Sequence, residues 1–101
     1  MSQIKISVLR KMTNDDFAEE YCLHGLSASN CPTFQVGQEF LSIDLEKPQN
    51  FCNWAWDDIF KYVSLMHCGG NMGDHMKYND TIIACCTDGI RPVVFRIDKM
   101  E

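Results

Sequence analysis

"TIIACCTDGIRPVVFRIDK", residues 81–99, reads as two strands joined by a turn. Residues 81–86 are strand-forming, and Asp88-Gly89 is a strong hairpin signal. From 90 to 99 the pattern alternates. Val93, Phe95 and Ile97 share one face; Val94, Arg96 and Asp98 share the other. Pro92 cannot donate to a ladder, so that end lies at an edge or begins pairing later. Strand geometry also separates the adjacent thiols Cys85 and Cys86. One goes to the core beside Ile83 and the other faces with Ile82 and Ala84, so any one site would take only one of them.

Upstream, "QIKISVLRK" (3–11) alternates as a half-buried strand, with Ile4, Ile6 and Val8 on the apolar side. "TNDDFAEEYC" (13–22) predicts a short helix capped by Thr13, with Asp15 and Asp16 at the positive end of its dipole and Gly25 as a stop. Phe17 and Tyr21 would pair along it. Residues 26–37 read as a loop. "QEFLSIDL" (38–45) predicts a strand in which Leu41, Ile43 and Leu45 alternate against Ser42 and Asp44. The main helix falls within 50–70, where Ala55, Ile59, Val63 and Met66 recur at helical spacing. Asn50 or Asn53 would cap it, Gly69-Gly70 would end it, and Asp57 with Lys61 would form an exposed pair. The order is β-α-β-α-β-β. It predicts one small α+β domain over residues 1–101, with two helices on a mainly antiparallel sheet of about four strands.

Composition narrows the function classes. Hydrophobic residues make up 46% of 101 residues, enough for a core without covalent staples. The net charge of −5 repels phosphate backbones and anionic lipid, and no basic run exceeds Arg10-Lys11. Nucleic acid and membranes are therefore not expected as partners. "MSQIKISVLRKM" lacks the apolar core of a signal peptide, which places the chain in the cytoplasm. Six cysteines are about 6% of the chain, below the roughly 8–10% of disulfide scaffolds. In a reducing compartment they point to metal ligation, catalysis or burial.

No CxxC half-site occurs, so a metal centre would draw on distant segments: Cys22, Cys31, Cys52 and one of Cys85 or Cys86. His24 or His67 could complete such a site; His75 lies in a polar loop. Cys52 is the candidate nucleophile. The unpaired N–H groups at a helix start favour a thiolate, while the apolar company of Trp54 and Trp56 opposes one. Cys85 and Arg91 have the C-x5-R spacing of a phosphate-cradling loop. That loop needs a following helix, and Pro92 with a strand pattern stands there instead. Arg91 could still supply positive charge beside the thiols. Asp57 and Asp58 read as helix-dipole acids, and Gly69-Gly70 follows a helix, the wrong context for a nucleotide loop.

The segments "EEYC" (19–22), "CPTFQVGQEF" (31–40), "FCNWAWDDIFKYV" (51–63), "GGN" (69–71) and "ACCTDGIRPVVFRI" (84–97) together resemble one family. It is a family of small, cysteine-containing proteins found largely in anaerobic prokaryotes, often in several copies per genome, whose name carries no activity. The resemblance spans nearly the whole chain. It implies that Cys22, Cys31, Cys52, Cys85 and Cys86 are the thiols to suspect, and not Cys68. An anaerobic habit fits oxygen-sensitive thiols or a soft metal.

Three readings stay open. One is a binding module for a soft metal ion or a thiol-reactive small ligand. Another is a thiol enzyme or redox carrier, with Cys52 as nucleophile and Cys85 or Cys86 resolving. The third is a structural accessory protein, a homo-oligomer among its forms, in which reduced thiols pack.

Overall fold

The computed structural model describes residues 2–23 and 33–100. Its elements follow the expected order: β1 (Gln3–Lys11), α1 (Asp15–Tyr21), β2 (Glu39–Ile43), α2 (Asn53–His67), β3 (Thr81–Cys85) and β4 (Val93–Lys99). The four strands form one antiparallel sheet in the order β2-β1-β4-β3. The fold is α+β. No helix among the described residues is long and apolar enough to cross a membrane.

One-sided burial explains the architecture. Ile4, Ile6 and Val8 of β1, Phe95 and Ile97 of β4, and Ile82 and Ala84 of β3 all face α2. Helix α2 answers with Ala55, Ile59, Val63 and Met66, the stripe its sequence predicts. At one end of this core the rings of Phe34, Phe40, Phe51 and Phe95 meet with centroids 4.9–5.9 Å apart. Such edge and tilted contacts add to what area burial alone supplies.

Four local expectations change. In β2 the buried residue is Ser42; Leu41 and Ile43 lie on the open face of the sheet. Register is the reason: Ser42 stands opposite Ile4, and Leu41 opposite Lys5. The buried Ser42 hydroxyl is satisfied, donating to the Glu46 carbonyl at 2.8 Å. Asp44 and Leu45, both with positive φ, turn the chain before the strand can extend to 45. Secondly, Asn14 and not Thr13 precedes α1, and its side chain donates to the Gly89 carbonyl at 2.6 Å instead of capping. Phe17 and Tyr21 of α1 are exposed, and Ala18 is its buried residue. Thirdly, Cys52 occupies the N-cap of α2 and Asn53 opens the helix. The entry is fixed by Phe51 packing on Trp56, with ring centroids 6.0 Å apart, in the positions of a hydrophobic staple. Fourthly, no Asp57–Lys61 ion pair forms among the described residues.

The helix end is as expected. Gly69, with φ 90°, donates to Met66 and Gly70 donates to Leu65, a Schellman closure. The β3–β4 connection is longer than a tight Asp-Gly turn: residues 86–92 form the loop, and β4 begins after Pro92. The Pro92 carbonyl accepts from Met12 N–H at 2.8 Å, so the chain at Pro92 is held from the β1 side.

Candidate functional site

The chain from Cys86 to Val93 is bound to its surroundings at several points. Cys86 N–H donates to the Val93 carbonyl at 3.0 Å, and Val93 N–H donates back to Cys86 Sγ at 3.3 Å. This pair of bonds orients the Cys86 side chain. Thr87 donates through its N–H at 2.8 Å and its hydroxyl at 2.9 Å to the Asp58 carboxylate of α2. Asp88 Oδ1 accepts from Ile90 N–H at 2.9 Å and Arg91 N–H at 3.0 Å, while Oδ2 accepts from Arg91 Nε at 3.2 Å. That is an Asx turn with a guanidinium on its outer side. Burial pushes the Asp88 carboxyl up, but the Arg91 and Ile90 N–H groups and the Arg91 charge outweigh it, and the group titrates below the usual carboxylate range.

Between this loop and the first turns of α2 lies a cleft of about 710 Å³. That is within the range of small-molecule sites. Phe34, Ala55 and Ile90 give it an apolar lining. Cys52 comes from the N-cap of α2 and Cys86 from the hairpin, and both are half-buried. Asp57, Asp58, Asp88 and Arg91 add charge, and Trp54 lines the cleft while remaining 80% exposed. The exposure of Trp54 removes it as apolar cover for Cys52. Trp56 does not line the cleft; it packs on Phe51 and Phe60.

The adjacent thiols separate as strand geometry requires, but the core face is that of Ile82 and Ala84 and not that of Ile83, because α2 covers the other side of the sheet. Cys86 goes to the α2 side with Ile82 and Ala84; Cys85 is exposed on the opposite face with Ile83. Partial desolvation raises the Cys85 thiol above its ordinary value, with the neighbouring Cys86 and Asp58 charges acting in the same direction. Cys22 ends α1, and Cys68 ends α2. Neither lines the cleft. Cys31 and His24, with Gly25 and most of the predicted loop, lie outside the described residues. Among the described residues no group of three or more His, Cys, Asp and Glu is placed to hold a metal ion. Of the proposed ligands Cys22, Cys31, Cys52, Cys85 and Cys86, the structure brings Cys52 and Cys86 to one cleft and leaves Cys22 and Cys85 outside it.

Sequence reasoning missed Asp58 and Thr87. Asp57 and Asp58 are not first-turn acids: they sit in the second turn of α2, and no acidic residue occupies the first. Asp58 precedes the buried Ile59, which places it at the edge of the apolar stripe. That position was the available signal for a carboxylate facing another element.

Compared with known proteins, the chain matches no family model, no curated protein and no solved structure.

Proposed function

We propose that the chain is a small binding module whose cleft holds a thiol-reactive small molecule or a soft ion between Cys52 and Cys86. One observation carries this reading: two thiols from distant segments line a single cleft with an apolar floor. Soft thiolate ligands suit thiophilic partners over hard ones. The resemblance of the Cys52 and Cys86 segments to motifs of an anaerobe family supports the same reading. A reducing cytoplasm is the setting proposed, because it keeps both thiols available.

The test uses phenylarsine oxide on the reduced protein without oxygen. Its trivalent arsenic forms two As–S bonds, and its oxygen leaves as water with the two thiol protons, so no electron transfer is needed. One equivalent is expected to bind per chain and to protect Cys52 and Cys86 from alkylation, read by peptide mass spectrometry. Cys52→Ser and Cys86→Ser should each remove the protection. Alkylation of Cys52 and Cys86 undiminished by the arsenical would overturn the reading.

A further inference from the structure

We infer that the cleft selects a small organic cation with an apolar body, recognised by the Trp54 ring and the Asp57 and Asp58 carboxylates. This rests on the proposal that the cleft is a ligand site and specifies what enters it. The charge distribution is the first argument. Asp57, Asp58, Asp88 and Arg91 line the cleft. Arg91 is bound to Asp88 through its guanidinium and backbone, so these two charges offset one another. Asp58 is held by the uncharged donors of Thr87, which bring no positive charge to offset the carboxylate. Asp57 is exposed and has no ion pair among the described residues. Against these two carboxylates stands the start of α2, equivalent to roughly half a positive charge. The net field is negative, and the chain's overall charge of −5 has the same sign.

The aromatic group is the second argument. Trp54 lies three and four residues before Asp57 and Asp58, so the ring and both carboxylates share a helix face. A tryptophan 80% exposed at the mouth of a cleft offers its ring face to an incoming group. An indole face attracts cations through its quadrupole, and carboxylates beside it add Coulomb attraction. Phe34, Ala55 and Ile90 would take the hydrocarbon part. An anion would find Arg91, the one Lys or Arg among the described lining residues, already bound to Asp88 and would lie against Asp57 and Asp58.

Two methanethiosulfonates with the same reactive group test this, one carrying a trimethylammonium and the other a sulfonate. In each case a protein thiolate attacks the sulfenyl sulfur. A mixed disulfide forms, methanesulfinate leaves with the bonding pair, and the thiol proton goes to solvent. The cationic-to-anionic rate ratio at Cys52 and Cys86 is compared with the ratio at Cys68, at the far end of α2. A net negative cleft should raise the ratio about tenfold at low salt, and salt should reduce it. Asp57→Asn should lower the excess several-fold. Unreactive benzyltrimethylammonium should slow modification of both cleft thiols by neutral methyl methanethiosulfonate, whereas benzyl alcohol should not. Trp54→Ala should remove that protection; the site is exposed, so the fold tolerates the change. Equal ratios at the cleft and at Cys68, or equal protection by the cation and the alcohol, would overturn the inference. If phenylarsine oxide bridges the thiols and charge preference is absent, this inference alone fails. If charge preference persists without bridging, the dithiol reading fails and cation selection stands.

Discussion

The two faces of the sheet are built from alternate residues of the same strands, yet they differ in almost every physical respect. The face toward α2 carries Ile6, Val93, Phe95 and Ile97, all 0% exposed. The open face carries Lys5, Leu41, Ile83, Cys85, Arg96 and Asp98, a mixture of charge and half-exposed apolar groups. A one-residue step off the end of β3, from Cys85 to Cys86, therefore moves a thiol from one regime to the other. Cys85 and Cys86 are chemically identical neighbours; what differs is the side of the sheet on which each stands.

The largest effect expected from breaking this contrast is on stability. Phe95 is fully buried and touches Phe34 and Phe51. Phe95→Ala should cost about 3–5 kcal/mol, from lost burial and the cavity left behind. Ile83→Ala, on the open face, should cost under about 1 kcal/mol, since that side chain is already 44% exposed. Urea unfolding of both variants measures the difference. Equal costs would mean that the open face is covered in solution.

That contrast also explains what could be read from sequence. Where one face is buried and the other solvated, burial leaves a period, and β1, β4 and α2 show theirs in Ile4-Ile6-Val8, Val93-Phe95-Ile97 and Ala55-Ile59-Val63. In β2 the same rule misleads. The alternating apolar residues Leu41 and Ile43 belong to the open face, and the buried position holds a serine satisfied by the Glu46 carbonyl. Register against β1 settles the matter, and register is a property of two strands, not of one. The thiols followed similar logic. Helix-start and strand positions make Cys52 and the hairpin thiols candidates, but which of Cys85 and Cys86 shares the cleft with Cys52 depends on the face of the sheet that α2 covers. The Asp58–Thr87 contact spans 29 positions and depends on the path of the loop over residues 86–92, so no local pattern encodes it.

That contact is the second way to sharpen the comparison, because it fastens the cleft side of the hairpin to α2. Asp58→Ala removes a charged acceptor that takes both the N–H and the hydroxyl of Thr87. The expected cost is roughly 1–2 kcal/mol, since hydrogen bonds to charged groups exceed neutral ones. The loosening should be local. Amide exchange at Thr87 should accelerate, while Ile6 and Ile97 in the centre of the sheet keep their protection. If exchange accelerates equally throughout the sheet, Asp58 supports the whole fold and not the cleft wall.

The smallest effect concerns Cys85, and it tests whether exposure alone governs a thiol. The residue is exposed, so a reagent reaches it without passing through the cleft. Yet partial desolvation, with the Cys86 and Asp58 charges behind it, raises its pKa. A raised pKa keeps the thiol protonated to higher pH, and the thiolate is the nucleophile. Alkylation of Cys85 should therefore reach half its limiting rate above the ordinary thiol value of about 8.5. Asp58→Asn removes one of the like charges and should move that midpoint downward, by less than the desolvation contributes. The midpoint is followed by peptide mass spectrometry of iodoacetamide-treated protein between pH 7 and 10. A midpoint at or below the ordinary value would mean that Cys85 feels solvent alone and that the charge of Asp58 stays on the cleft side of the sheet.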